Sequence, residues 1–340
     1  MQPYLQAVTD SSIIVMVESD SKKDVFVKFG KSNNLTNTAK TRFYVNTDNR
    51  KKTYVHRVVL NGLKANTQYH YKAIQDKFKS KIYKFQTAVK PGTAFRFAVM
   101  GDCRSNPKIH SIIAKEIRKR NPAFSIYLGD LCHDSKYYSW KKEFFTKEEL
   151  NLSSSVPFFN AIGNHEGWKQ NTKAFQQSPT NKKENNSYYS FNYGDILFLI
   201  INTEQNVKKG SGQYKLIEKV LRRSNKKWKI AAFHIPAYCA GGHGEYSSMI
   251  KMTKALFEPH NIDFIFAGHT HFYQHNLVNG IRHLVVGGGG APLYSPEKEK
   301  YTVKSAKAYS YAIFDVQKDK IIMTVYDIYG KVIDSLTLKK

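Results

Sequence analysis

Phe95-Arg96-Phe97-Ala98-Val99-Met100-Gly101-Asp102 is a mostly apolar run that ends in a glycine and a carboxylate. An apolar stretch of this length, stopped by a turn residue, reads as a strand buried on both faces. The pattern recurs: 125–128 before Gly129-Asp130, 158–162 before Gly163-Asn164-His165, 229–233 before His234, and 262–267 before Gly268-His269-Thr270-His271. Apolar residues at 109, 112, 113 and 117 have helical spacing. Further strands are expected over 196–201, 281–286, 311–316, 320–327 and 331–338. Strands alternating with helices predict an α/β layer fold from residue 94 onward. In open α/β sheets the carboxyl ends of the strands form the site crevice. Packing alone does not ask for Asp, Asp, Asn-His, His and His-x-His at five such ends. A glycine before a ligand is expected to let the chain turn sharply there.

Upstream of Lys90-Pro91-Gly92-Thr93, a boundary marked by proline and glycine, the texture is all-β. Strands are expected over 12–17, 25–30, 53–60, 69–74 and 81–87, and no segment there has a helical period. Leu60 through Thr67-Gln68-Tyr69-His70-Tyr71 resembles the Leu…Thr-x-Tyr-x-Tyr signature of a fibronectin type III module. In such modules the first tyrosine packs at a sandwich corner. The expected organisation is therefore a fibronectin III-like β-sandwich over 1–91 and an α/β domain over 94–340.

Of 340 residues, 41% are hydrophobic and 14% aromatic, which excludes disordered, collagenous and low-complexity chains. No run of 18 apolar residues occurs, so no transmembrane helix is expected. Lys plus Arg number 53 against 27 acidic residues, a net charge of +26 spread over both parts of the chain. Such a field favours anionic partners: phosphoesters, nucleic acid, acidic glycans or membrane headgroups. It is also what a lysine-rich compositional habit gives. Cys103, Cys132 and Cys239 are too few for a disulfide framework or a zinc knuckle. No Gly-x-Ser-x-Gly elbow is present, which disfavours a serine hydrolase. Imidazole mixed with carboxylate and amide oxygens suits Zn, Mn or Fe. A bridging carboxylate can hold two such ions, which clamp the attacking and leaving oxygens of a phosphoryl transfer.

The order Gly-Asp, Gly-Asp, Gly-Asn-His, His, Gly-His-x-His resembles the calcineurin-like metallophosphoesterases. The β-module opening on Pro3-Tyr4-Leu5-Gln6 is similar to that of the purple acid phosphatase branch. The resemblance covers nearly the whole chain. It implies a four-layer α/β/β/α sandwich and two divalent or trivalent transition metal ions (Fe, Mn or Zn). Asp102 and His271 would bind the first ion, Asp130 would bridge both, and Asn164, His234 and His269 would bind the second. His165 would contact the phosphate and protonate the leaving group, and His243 would be a further substrate-facing histidine. The implied reaction is acid-to-neutral hydrolysis of phosphomonoesters of small molecules by a hydroxide held on the metals. A phosphodiesterase or nucleotidase, or a binding or adhesion protein for anionic ligands with a degenerate site, are the alternatives. An exported or periplasmic location is implied, with a cytoplasmic one as the alternative, since no signal peptide is recognisable in this chain.

Two departures from that pattern carry their own expectations. The branch has Gly-Asp-x-x-Tyr, with a metal-bound tyrosinate. Here the run is Gly129-Asp130-Leu131-Cys132-His133, so His133 is expected to ligate the first metal, or else to sit behind it. Where the wider superfamily has Asp-x-His, this chain has Asp102-Cys103-Arg104. A guanidinium offers only donors and cannot bind a metal. Arg104 is therefore expected to clamp a phosphate oxygen, or to form a structural salt bridge. The four glycines 287–290 are expected to bring backbone close to the site.

Overall fold

The protein is described by a computed structural model over residues 2–179 and 187–340. Two sheets carry the fold among these residues. The larger runs through both parts of the chain. From its C-terminal edge the order is Val332–Lys339, Lys320–Asp327, Ser310–Val316, Phe95–Met100, Phe124–Tyr127 and Phe158–Asn160. It then continues into the N-terminal strands Tyr4–Gln6, Ser12–Ser19, Tyr54–Asn61 and Asn37–Asn46. The last of these turns over at a register shift between Thr41 and Phe43. Its first half pairs with Phe26–Gly30, which pairs in turn with Gln68–Gln75 and closes the N-terminal sandwich. Tyr69 is buried, and its hydroxyl accepts the Lys64 amide at 3.0 Å, the corner bond expected of a fibronectin-like module.

The second sheet has the order Tyr189–Tyr193, Ile196–Ile200, Trp228–Ala232, Phe264–Ala267, Ile281–Val286, Tyr273–Val278 and Thr302–Ala306. Side chains alternate across a strand, so each central strand of this sheet must bury two faces. Phe198 and Phe266 face Phe97 and Phe314 of the first sheet, with ring centroids 4.9 Å apart for Phe266–Phe314 and 5.4 Å for Phe97–Phe198. The alternate residues Leu197, Leu199, Ala231 and Ile265 lie under Tyr214, Ile217 and Leu221 of the helix Gly212–Arg223. On the far side, helix Pro107–Lys119 buries Ile113, Ala114 and Ile117. Asn106 caps that helix by accepting the Ile109 amide, and Pro107 pre-sets its first turn. The result is helices, sheet, sheet, helices, as the family resemblance implies.

Several elements escape the sequence reading, among them Tyr273–Val278 and Thr302–Ala306. Asn37–Asn46 buries no residue fully: Ala39, Thr41, Phe43 and Val45 are half-buried and alternate with exposed neighbours. Tyr4–Gln6 is three residues long. It pairs antiparallel with Ser12–Ser19 and parallel with Phe158–Asn160, and so splices the two parts into one sheet. Helix Gly212–Arg223 buries Tyr214, Ile217 and Leu221 at helical spacing, with Gln213 beside them. Among the described residues, no helix is long and apolar enough to cross a membrane.

Candidate metal centre

The strands Phe95–Met100, Phe124–Tyr127, Phe158–Asn160, Trp228–Ala232 and Phe264–Ala267 point their carboxyl ends into one crevice. The turns there differ from expectation. Gly101, Gly163 and Gly268 do not take positive φ; Asp102, Asp130 and His269 do, at 58°, 54° and 68°. These are uncommon for residues with a side chain, and such strain concentrates at functional sites. The glycines serve close approach instead. A Cβ on Gly163 would overlap the Asp130 amide nitrogen and Oδ1, and one on Gly268 would overlap Asp102 Oδ2.

Asp130 is the hub. Its Oδ1 accepts the His165 amide at 3.0 Å and lies 3.3 Å from His234 Nε2. Its Oδ2 lies 3.3 Å from Arg104 Nε and 3.7 Å from His165 Nε2. Burial alone would raise its pKa. The imidazoles of His234 and His165, the His165 amide and Arg104 outweigh that and hold the carboxyl below its ordinary range. Asp102 is pushed well up by burial and by the charge of Asp130, against Arg104 and the His269 amide. That amide reaches both Asp102 oxygens, at 3.0 and 2.9 Å.

On one side of Asp130, four donors converge. His234 Nε2 is 2.9 Å from Asn164 Oδ1, and His269 Nδ1 is 3.1 Å from that oxygen and 3.3 Å from His234 Nε2. His234 Nδ1 donates to the Leu128 carbonyl at 2.8 Å, so its Nε2 carries a lone pair. That lone pair faces two acceptor oxygens, Asn164 Oδ1 and Asp130 Oδ1. A cation between them turns mutual repulsion into coordination. His269 Nε2 contacts the Tyr246 hydroxyl at 2.8 Å, leaving Nδ1 toward the cluster. Burial lowers the pKa of His234, and lowers that of His269 to about 3 with help from His234 and His243. Neutral imidazoles are the ligand form. This donor set fits a metal ion of the Zn, Mn or Fe kind.

On the other side, ligand atoms of Asp102, Asp130 and His271 all lie within 4.8 Å of one another. His271 Nδ1 donates to the Pro292 carbonyl at 2.8 Å, its ring stacks on Tyr294, and burial lowers its pKa to about 4. His133 does not join this group. Its side chain is exposed, its ring stands 5.4 Å from that of His165, and its carbonyl accepts from His165 Nδ1 at 2.6 Å. The local chain is held by Glu143, which accepts the His133 and Ser105 amides. Arg104 lies inside the group, between Asp130 and His271. His243 is exposed at the mouth, stacked on His269 with centroids 4.4 Å apart. The glycine run does approach: the Gly289 amide donates to Gly101 O and the Ala291 amide to Asp102 O, both at 2.9 Å.

Several residues of the site are not among the sequence candidates. Glu166 is fully buried and accepts the Gly163 amide at 2.8 Å and the Leu131 amide at 3.3 Å, tying two ligand loops together. Burial and the charge of Asp130 push its carboxyl up to about 8. Its only sequence signal is its place directly after His165. Tyr246 and Tyr294 give none. Cys103, Cys132 and Cys239 are buried free thiols. The Tyr273 hydroxyl donates to Asp334 at 2.7 Å.

Residues 95–273 match the family model for calcineurin-like phosphoesterases, and residues 1–87 match that for the N-terminal domain of purple acid phosphatases. The chain belongs to the calcineurin-like phosphoesterase family. Its relatives include purple acid phosphatase 15 of Arabidopsis thaliana, 26% identical over 74% of this chain and 55% of that protein. Another is the Arabidopsis protein named probable inactive purple acid phosphatase 1, 24% identical over 71% of this chain and 49% of that one. The phosphoesterase-family chain thus spans about half the length of curated relatives it matches. A purple acid phosphatase from yellow lupin (Lupinus luteus) seeds superposes on all of it and on 74% of its own chain, with a TM-score of 0.86 and 22% identity. PhoD superposes on 99% of this chain and 92% of its own, with a TM-score of 0.74 and 12% identity. Both likenesses are of fold.

Proposed function

We propose that this chain is a metal-dependent phosphoester hydrolase that acts on phosphomonoesters of small molecules at acid-to-neutral pH. The observation that carries the reading is the convergence of Asp130 Oδ1, Asn164 Oδ1, His234 Nε2 and His269 Nδ1 at strand ends, in a family of phosphoesterases. These four would hold an Fe, Mn or Zn ion. A bound ion of this kind polarises a phosphoryl oxygen and makes water nucleophilic near neutral pH.

The remaining roles belong to the chain. Leu128 O and Tyr246 fix the ring orientations of His234 and His269. Asp102 pins the loop that presents His269. Arg104 keeps guanidinium hydrogens beyond its bonds to Asp130, His271 and Ser105, and they can take a phosphate oxygen. His165 has Nδ1 bound to the His133 carbonyl, which leaves Nε2 in the crevice to protonate a leaving alkoxide. His243 stands at the mouth as a second donor. A general acid works only while protonated, so the rate should decline into alkali. The net charge of +26 draws anionic substrates inward.

The test is turnover of an aryl phosphate monoester beside its matched diester, after loading with Mn, Zn or Fe, with a chelated control. The expected result is metal-dependent monoester hydrolysis that chelation abolishes. A preference for the diester would move the substrate class to diesters or nucleotides. No turnover of either ester with metal bound would favour a site kept for binding.

A further inference from the structure

The two sides of Asp130 are built differently. On the Asn164 side the ligand atoms face each other with no cationic side chain of the described residues hydrogen-bonded among them. On the Asp102 side one is already in place. Arg104 Nε donates to Asp130 Oδ2 at 3.3 Å, and Arg104 Nη2 contacts His271 Nε2 at 3.3 Å. His271 Nδ1 is committed to Pro292, so Nε2 is the acceptor of that contact. One guanidinium thus takes both the carboxylate oxygen and the imidazole lone pair that an ion on this side would need.

The guanidinium is held there. Its side chain is 12% exposed. The Arg104 amide donates to the Asp130 carbonyl at 3.2 Å, and Nη1 donates to Ser105 Oγ at 3.2 Å. Behind it, a Cβ on Gly290 would crowd the Cys103 carbonyl, so the glycine run abuts the Arg104 segment. Asp102 and Asp130 are both buried, and two buried carboxylates demand positive charge nearby. Arg104 supplies it covalently.

We propose that Arg104 is the resident cation of the Asp102–Asp130–His271 group, so that the chain binds a single metal ion tightly, at Asp130, Asn164, His234 and His269. The centre is then one metal ion beside one fixed guanidinium, where the family resemblance implies two ions. This rests on the metal-dependent reading above and specifies its stoichiometry.

The test is metal content. The metal-stripped chain is loaded with Mn(II) or Zn(II), freed of weakly bound ion by gel filtration, and measured by elemental analysis. The Mn(II) samples are also read by electron paramagnetic resonance. Wild type should hold one ion per chain, with the signal of an isolated Mn(II). Arg104→Ala should hold two, with the signal of a spin-coupled pair. Arg104→Gln, which keeps most of the side chain and loses the charge, should also gain the second ion and serves if the alanine variant does not fold. Two ions in wild type would overturn the proposal while leaving metal-dependent hydrolysis standing. One ion in both wild type and a folded Arg104 variant would overturn it too, because Arg104 would then not be what keeps the second ion out. A wild-type chain that retains no ion would overturn the metal-dependent reading itself.

Discussion

Gly163 shows how little freedom a residue has at this centre. A methyl group there would collide with the backbone nitrogen and carboxylate of Asp130, and neither can retreat, since Oδ1 also holds the His165 amide. On the proposed function, Gly163→Ala should lower kcat/KM for phosphomonoesters by at least about a hundredfold, the cost expected when reacting groups are displaced by roughly 1 Å. Steady-state kinetics on variant protein with a native circular dichroism spectrum checks this. His283 makes a different prediction, far from the metal donors. It is buried against Tyr238, its ring nitrogens have no hydrogen-bond partner among the described residues, and burial lowers its pKa to about 3. The unfolded chain takes up this proton below about pH 6.5, whereas the folded chain stays neutral until about pH 3. Acid therefore favours unfolding at this residue; the contribution is fully present above 6.5 and lost as pH falls. Relative to wild type, His283→Leu should gain about 1.4 kcal/mol for each pH unit below 6.5. Urea unfolding of both proteins at pH 7.5 and pH 5 reads this directly, and parallel curves at the two pH values would refute it.

At the scale of elements, the short strand Tyr4–Gln6 carries more than its length suggests. Gln6 is fully buried; its Oε1 accepts the Gln177 amide at 2.8 Å and its Nε2 donates to the Phe175 carbonyl at 3.2 Å. Tyr4 donates to the same carbonyl at 3.0 Å, and Ser154 donates to Pro3 O at 2.7 Å. Replacing Gln6 with Ala strands the Gln177 amide away from water, at a cost of about 1–3 kcal/mol. Denaturant midpoints should shift accordingly, with an unchanged m-value. No loss of stability would mean that the strand is dispensable to the larger sheet. A three-residue strand pairing in parallel with residues some 150 positions away gives no local signature, whereas long buried strands such as Phe95–Met100 announce themselves by composition. The same contrast explains Asn37–Asn46. Ala39, Phe43 and Val45 share its half-buried face, but Thr41 interrupts them and Tyr44 lies on the exposed face, which blurs the period.

At the scale of the whole molecule, one sheet and one apolar core extend from the N-terminal sandwich into the layered domain. Polar contacts cross the same junction. Glu18 meets Lys141 at 2.8 Å and the Tyr137 hydroxyl at 2.6 Å, and Arg57 donates to Gln177 at 2.8 Å. We take residues 1–91 and 94–340 as two modules that unfold together, and calorimetry should show a single transition; two resolved transitions would separate them. The net charge gives a second prediction at this scale. Attraction between a strongly basic chain and an anionic substrate is screened by salt, so kcat/KM should fall several-fold between about 0.02 and 0.2 M ionic strength. A flat salt profile would assign the lysines to composition rather than to substrate capture.

The sequence by itself determined the strands that are buried on both faces and the residues at their carboxyl ends, because a doubly buried strand must be apolar and the polar residues that stop it stand out. Asp102, Asp130, Asn164, His234, His269 and His271 were legible for that reason. Only the tertiary structure decided which of them face one another. It set the positive φ on Asp102, Asp130 and His269 rather than on most of the glycines before them, and it placed Glu166, Tyr246 and Tyr294 around the crevice. It left His133 exposed and brought the Arg104 guanidinium between Asp130 and His271. Residue type and spacing fix what a side chain is able to do; the direction in which a loop turns fixes which charge it meets, and that depends on contacts made by distant parts of the chain.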